Sequence, residues 1–170
     1  HRAFIDCVAL TSSFSLNCSA CTNMDRTFKN CEALAGSITL TDTESVENFN
    51  ETFSNCNQLP SIDIDSTEKS TTMFSMFADC ESLTSEITLD CTECLSLESV
   101  FNNCINLTEI TVLNTSLVQT MREAFLNCSS INAPSPITAP TRRYPLIKGG
   151  NSLKPRLASN SSLGIISILI

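Results

Sequence analysis

Apolar residues return along this chain at a fixed spacing. The frame Phe-x-x-Cys-x-x-Leu occurs as Phe4-x-x-Cys7-x-x-Leu10, Phe28-x-x-Cys31-x-x-Leu34, Phe53-x-x-Cys56-x-x-Leu59, Phe77-x-x-Cys80-x-x-Leu83 and Phe101-x-x-Cys104-x-x-Leu107. A last copy, Phe125-x-x-Cys128-x-x-Ile131, closes the series. Successive cysteines are 24, 25, 24, 24 and 24 residues apart, and Asn or Asp precedes every one. Four matched positions over six copies define an internal repeat. Between the frames, Phe14-Ser-Leu16, Ile38-Thr-Leu40, Ile62-Asp-Ile64 and Ile87-Thr-Leu89 alternate apolar and polar residues, the period of a short half-buried strand. Later in each unit come Met24 and Phe28, Phe49 and Phe53, Met73, Met76 and Phe77, Leu97, Val100 and Phe101, and Met121, Ala124 and Phe125. Their i, i+3, i+4 spacing predicts one face of a short helix. The Asn or Asp two residues past each Phe suits a helix C-terminus, because these side chains tolerate the left-handed conformation. A unit of strand, turn, short helix and turn cannot bury its apolar face alone and must stack on its neighbours. The predicted fold is an α/β repeat, a solenoid of about five to six 24-residue coils over residues 1–132. An extended tail covers 133–170.

The best copy, Asn114-Thr115-Ser116-Leu117-Val118-Gln119-Thr120-Met121-Arg122-Glu123-Ala124-Phe125-Leu126-Asn127-Cys128, resembles the BspA-like leucine-rich repeats of bacterial and protist surface proteins. The resemblance covers about residues 1–132. It implies a leucine-rich-repeat fold, a surface location and adhesive or recognition functions, and it implies no particular ligand. The third unit departs from the pattern at Lys69-Ser70, where the Val of the frame is missing.

The repeat changes the meaning of the ten cysteines, which by count alone suggest a disulfide scaffold or a metal protein. Cys7, Cys31, Cys56, Cys80, Cys104 and Cys128 hold one place in successive coils, so their sulfurs form a column inside the stack. Buried reduced thiols acting as small hydrophobes are the favoured reading, and disulfides between adjacent coils the other. The remaining four form Cys18-Ser-Ala-Cys21 and Cys91-Thr-Glu-Cys94. These pairs lie three units apart, roughly 14 Å at the strand spacing. One zinc needs four sulfurs at about 2.3 Å, so the pairs do not share a metal and no metal or other cofactor is expected. Structural thiols are favoured here too, with a local disulfide within each pair left open.

Chemistry is further narrowed by the single histidine, His1, which leaves no Ser-His-Asp or Cys-His arrangement in the body of the chain. An enzyme is therefore not expected. The net charge of −8 divides unevenly. Residues 1–132 carry 18 acids and five bases, a net of −13, while 133–170 carry five bases and no acid. Such a chain is not a nucleic-acid binder. The tail bases Arg142, Arg143, Lys148, Lys154 and Arg156, with the apolar Ile165, Ile166 and Ile168, are the expected cap or subunit-contact residues. No apolar run reaches the roughly 20 residues of a membrane span. The first frame lacks the front half of its unit, so repeats upstream of His1, or a partner covering that end, are expected.

Residues alternating with the buried strand positions should face outward. These are Ser15 and Asn17, Thr39 and Thr41, Asp63 and Asp65, and Thr88 and Asp90. They make a polar strand face suited to a protein or glycan surface, and Thr39, Thr41, Asp63, Asp65, Thr88 and Asp90 are its candidate binding residues. Six Asn-x-Ser/Thr sequons occur, with Asn50 expected among the exposed ones. Two functions compete. One is a non-enzymatic recognition or adhesion module on a cell or virion surface. The other is a structural subunit of an extracellular filament joined through coil ends and the tail, and a homo-oligomer or larger assembly is expected.

Overall fold

The computed structural model describes residues 2–131 and, beyond them, the backbone of three short strands at 136–138, 155–156 and 165–168. The alternating segments are strands β1 (Phe14–Asn17), β2 (Ile38–Thr41), β3 (Ile62–Ile64), β4 (Ile87–Asp90) and β5 (Ile110–Leu113). Their apolar residues turn inward and the intervening polar ones outward. β1, β2 and β3 pair in parallel with no slip in register, Phe14 beside Ile38 and Ile38 beside Ile62. β4 and β5 pair the same way, Ile87 beside Ile110. A second line of parallel contact runs Asn23, Asn48, Thr72, Ser96 and Thr120. The units therefore lie one upon another, each residue beside its counterpart.

The predicted short helices do not form. Among the described residues the only helical element is a 3₁₀ turn at Thr115–Leu117, outside the predicted segments. The reason lies in where the backbone amides go. An α-helix spends each N–H on the carbonyl four residues back. Here every second N–H crosses to the next unit instead. Met24 donates to Asn48, Arg26 to Asn50, Phe28 to Thr52 and Asn30 to Ser54, at 2.8–2.9 Å. The intervening amides close tight turns within the unit, Thr27 to Met24, Lys29 to Arg26 and Cys31 to Phe28. Two left-handed residues four apart hold this path, Arg26 and Asn30, then Glu51 and Asn55, Ser75 and Asp79, Ser99 and Asn103, Glu123 and Asn127. The Asn or Asp before each column cysteine has φ of 59–62°. These short polar side chains tolerate that conformation. The i, i+3, i+4 spacing of apolar residues serves the turns as well as it would serve a helix.

Each frame residue builds a column. The rings of Phe4, Phe28, Phe53, Phe77, Phe101 and Phe125 stack with centroids 5.2–5.9 Å apart and planes within 14°. Such pairs add about 0.5–1.5 kcal/mol each beyond burial. Behind them the column thiols do more than fill space. Cys31 Sγ donates to the Phe4 carbonyl, Cys56 to Phe28, Cys80 to Phe53, Cys104 to Phe77 and Cys128 to Phe101, at 2.9–3.1 Å. Each such carbonyl also accepts the amide of its own unit's cysteine. Burial pushes the Cys128 thiol up to about 12 and raises Cys80 and Cys104 as well, which keeps these donors protonated at neutral pH.

The residue before each column cysteine makes a third column. Asn30 Nδ2 donates to Asp6 Oδ1, Asn55 to Asn30, Asn103 to Asp79 and Asn127 to Asn103, at 2.6–2.9 Å. The chain of amides is interrupted between Asn55 and Asp79, because a carboxylate accepts and cannot donate upward. On the neighbouring surface, Glu51 is 8% exposed and meets Arg26 and Lys29 of the preceding unit. Burial raises its pKa, but the two cations outweigh that and hold the carboxyl below its ordinary value. Gly36 is fixed by contact: a Cβ there would lie 2.1 Å from the Ser13 amide nitrogen of the unit before.

The interrupted amide column yields a test. Asn103→Asp removes a donor and sets a carboxylate against Asp79, whereas Asn127→Asp removes a donor facing a neutral amide. Loss of one such bond costs about 0.5–1.5 kcal/mol, and the like charge adds to it. Urea unfolding at pH 7 should therefore place Asn103→Asp below Asn127→Asp. Equal midpoints would contradict the column.

Candidate functional site

The polar strand face is interrupted at one step. β1, β2 and β3 form one sheet, and β4 begins another, so no backbone hydrogen bond joins β3 to β4. The cause is a change in connection length. Two residues separate Leu59 from Ile62, and three separate Leu83 from Ile87. At the earlier steps the first strand residue donates to the carbonyl of the residue just before the next strand, Phe14 to Ser37 and Ile38 to Ser61. Ile62 N–H meets Glu86 at that place and reaches Ser85 Oγ instead, at 3.4 Å. Where the connection shortens, from β2 to β3 and from β4 to β5, pairing survives.

The result is a slot of about 180 Å³, lined by Ile62, Asp63, Ile64, Glu86, Ile87 and Thr88. Its two ends are tied by side chains. Ile62 N–H holds Ser85 at one end, and at the other Thr67 Oγ1 donates to the Asp90 carbonyl and accepts the Asp90 amide. Between the ties, Ile64 N–H and Thr88 N–H donate to no strand among the described residues. Opposite the slot the same two units stay closed, with Phe53 N–H on the Met76 carbonyl and Asn55 N–H on that of Ala78. The stack is thus wedged open on its strand face only. Among the described residues, two carboxylates, Asp63 and Glu86, and no cation line the gap.

The expected binding residues divide. Ser15, Thr39 and Asp63 stand in one row by register, and Asn17 beside Thr41 in a second. Asp63 and Thr88 are exposed on opposite sides of the slot, and Thr39 and Thr41 are half-buried. Asp65 and Asp90 are engaged within the chain. Asp65 Oδ2 accepts the Asp42 amide at 2.8 Å, and Asp90 Oδ1 accepts the amide and hydroxyl of Thr92 and the Asn114 amide group. Burial raises the Asp90 carboxyl, yet the Thr92 and Asn114 donors outweigh it and hold the pKa below the ordinary value. Reading the alternation alone missed Ile64 and Glu86, although the longer Leu83-to-Ile87 connection was visible.

The other candidates fall as follows. Cys31, Cys56, Cys80, Cys104 and Cys128 are buried and Cys7 half-buried, and all ten cysteines are free thiols. Arg142, Arg143, Lys148 and Lys154 lie outside the described residues. Arg156 is in β7 (Pro155–Arg156), and Ile165, Ile166 and Ile168 are in β8 (Ile165–Ile168), where the backbone alone is described. Among the described residues no group of His, Cys, Asp or Glu is placed to hold a metal ion. Asn50 is half-buried rather than exposed, and its Oδ1 accepts the Thr72 hydroxyl and the Phe74 amide. Four more sequon residues, Asn17, Asn106, Asn114 and Asn127, donate Nδ2 to another unit. These asparagines serve the stacking.

The repeat geometry defines a class of stacked-unit proteins, and comparison with known families narrows it. The family model described as "Mycoplasma protein of unknown function, DUF285" matches residues 1–104 and 95–138, so the chain belongs to that family. No curated protein and no solved structure matches it. Among the described residues no helix is long and apolar enough to cross a membrane.

Deleting Glu86 should give the fourth unit the two-residue connection of the third and fifth. Amide exchange at Ile64 and Thr88, fast in the parent chain, should then slow to the rate of paired strand amides. Unchanged exchange would mean that something other than the extra residue holds β3 and β4 apart.

Proposed function

We propose that the chain is a non-enzymatic recognition segment of a BspA-like leucine-rich-repeat surface protein, a solenoid that binds protein or glycan through its polar strand face. It works at the surface of a cell or virion. Affinity comes from many weak contacts on a stack too rigid to lose much entropy on binding, rather than from one deep pocket. The observation that carries this reading is the slot between β3 and β4. It presents the Ile64 and Thr88 amides beside the outward Asp63 and Thr88 side chains, on a face whose other strands are paired. Backbone amides and carboxylates suit the hydroxyls of a sugar or the polar edge of an extended peptide. The row Ser15, Thr39 and Asp63 extends the same polar surface along the stack.

The experiment is binding of the labelled full chain to a glycan array and to intact epithelial cells. Asp63→Lys and Thr88→Lys flank the slot without touching the core. Each should lower binding at least tenfold while circular dichroism stays unchanged. Equal binding by parent and variants, or none by the parent on either surface, would overturn the reading.

The filament reading has one observation for it and one against. At one end β1 pairs on one side only, and Phe4 and Val8 are exposed beside it. At the other, β6 (Pro136–Thr138) pairs in parallel with β5, β8 pairs antiparallel with β6, and β7 with β8. That arrangement supports β6, β7 and β8 as a cap on their own stack rather than a contact arm. Light scattering at micromolar concentration should then give the mass of a monomer, and a concentration-dependent series of larger species would favour the filament.

A further inference from the structure

Every unit has the same turn between its strand and its second line of parallel contact. Cys21 N–H donates to the Cys18 carbonyl, Val46 to Thr43, Ser70 to Thr67, Cys94 to Cys91 and Val118 to Thr115, at 2.7–3.1 Å. Cys18 and Cys91 thus share a column with Thr43, Thr67 and Thr115, and Cys21 and Cys94 share one with Val46, Ser70 and Val118. Cysteine fills both places of a turn or neither. The two places are three residues apart in one turn, and the two cysteine turns are three units apart.

The hydrogen bonds separate the two kinds of turn. Where the first place is Thr43 or Thr67, its hydroxyl donates to the carbonyl of the next unit and accepts an amide from it. Where the first place is cysteine, the thiols stay within their own unit: Cys18 Sγ donates to the Leu16 carbonyl at 3.6 Å beside the Cys21 thiol, and Cys91 lies beside Cys94, whose Sγ donates to the Ser96 carbonyl at 3.3 Å. The tie between units is exchanged for contacts within the unit. A turn closed by an i to i+3 hydrogen bond brings its end Cα atoms within about 7 Å. A disulfide takes Cα separations of about 4.4–6.8 Å. The geometry of both turns therefore admits a disulfide.

The two pairs differ in access. Cys91 and Cys94 are both fully buried, whereas Cys18 is buried and Cys21 half-exposed. We propose that Cys18 and Cys21 are a disulfide-forming site in the folded protein, oxidised by exchange with a small disulfide, and that the Cys91–Cys94 pair is the same device shut away from solvent. The exchange starts at Cys21. Its thiol gives up a proton to water, and the thiolate attacks one sulfur of the small disulfide, expelling one small thiolate that takes up a proton. The Cys18 thiol then loses its proton and attacks the Cys21 sulfur, expelling the second small thiol. Two protein thiols are oxidised to one disulfide, and one small disulfide is reduced to two thiols. Burial, the neighbouring Cys21 and the Asp42 and Asp65 carboxylates hold the Cys18 thiol at about 11, so the buried member follows rather than leads. The bond would staple the turn after β1, the strand that has a partner on one side only.

The test treats the native full chain with oxidised glutathione, quenches with acid and maps free thiols by alkylation and mass spectrometry. The expected product has lost two hydrogens, carries no glutathione and has a Cys18–Cys21 disulfide, with the other eight cysteines alkylated. The same treatment in denaturant should also oxidise Cys91 and Cys94. Cys18→Ser should stop at a glutathione adduct on Cys21, and Cys21→Ser should take no glutathione at Cys18. A native chain that keeps all ten thiols overturns the proposal. So does a persistent adduct on Cys21 beside a free Cys18, or oxidation that falls first on the column cysteines or on Cys91 and Cys94. The parent chain alone decides the matter should either variant fail to fold.

Discussion

The stack hangs on a carbonyl used twice. The Phe carbonyl of one unit accepts the amide of its own cysteine and the thiol of the next unit's cysteine. The first bond closes the turn that carries the Phe ring inward. The second sets the neighbouring unit at a fixed height and register. Because both bonds end on one atom, the local turn and the stacking of units cannot be adjusted separately. That coupling accounts for the spacing of 24 residues with a single exception. It also accounts for the aligned Phe rings and for the left-handed Asn or Asp that precedes each thiol. The thiol fits this place because it is apolar enough for a fully buried site and still carries a proton to donate.

A stack fixed so firmly on one side concentrates its variation on the other. The single extra residue at Glu86 leaves the Phe and Cys columns in line, since Phe53 and Phe77 still stack at 5.6 Å. Its effect is felt only across the strand face, where β3 and β4 part. The polar face and the slot in it are thus consequences of connection length on a rigid frame. The same logic governs the charged surface. Arg122 meets Glu98 and Lys69 meets Glu93 in the adjacent unit, so part of the acidic charge of the body is spent on unit-to-unit contacts. Asp63 and Glu86 at the slot remain as acids without a cation beside them among the described residues.

Much of this was legible in the amino-acid order, and the failures have definite causes. The strands followed from alternation, and the left-handed positions from Asn and Asp. The helices did not form because the spacing i, i+3, i+4 records which side chains face inward and says nothing of where the amides donate. That depends on the neighbouring unit, which local sequence does not contain. Asp90 could have been set apart from the binding face, since Asp-x-Thr invites the side chain to cap its own turn. Asp65 could not, because its partner, Asp42, lies in another unit. The slot was written in two connection lengths, Leu59 to Ile62 and Leu83 to Ile87, and went unread because the columns on the closed side keep perfect step across it.

The central claim is that the column thiols are hydrogen-bond donors to the Phe carbonyls and not merely small apolar fillers. Raman spectroscopy of the S–H stretch tests it most directly, comparing folded and urea-unfolded chain. Donation to a carbonyl weakens the S–H bond, so the folded spectrum should show a band at lower wavenumber than the unfolded chain, reduced in Cys80→Ala and Cys104→Ala. A folded S–H band at the frequency and width of thiols in an apolar solvent, unaffected by either substitution except in total intensity, would contradict the account.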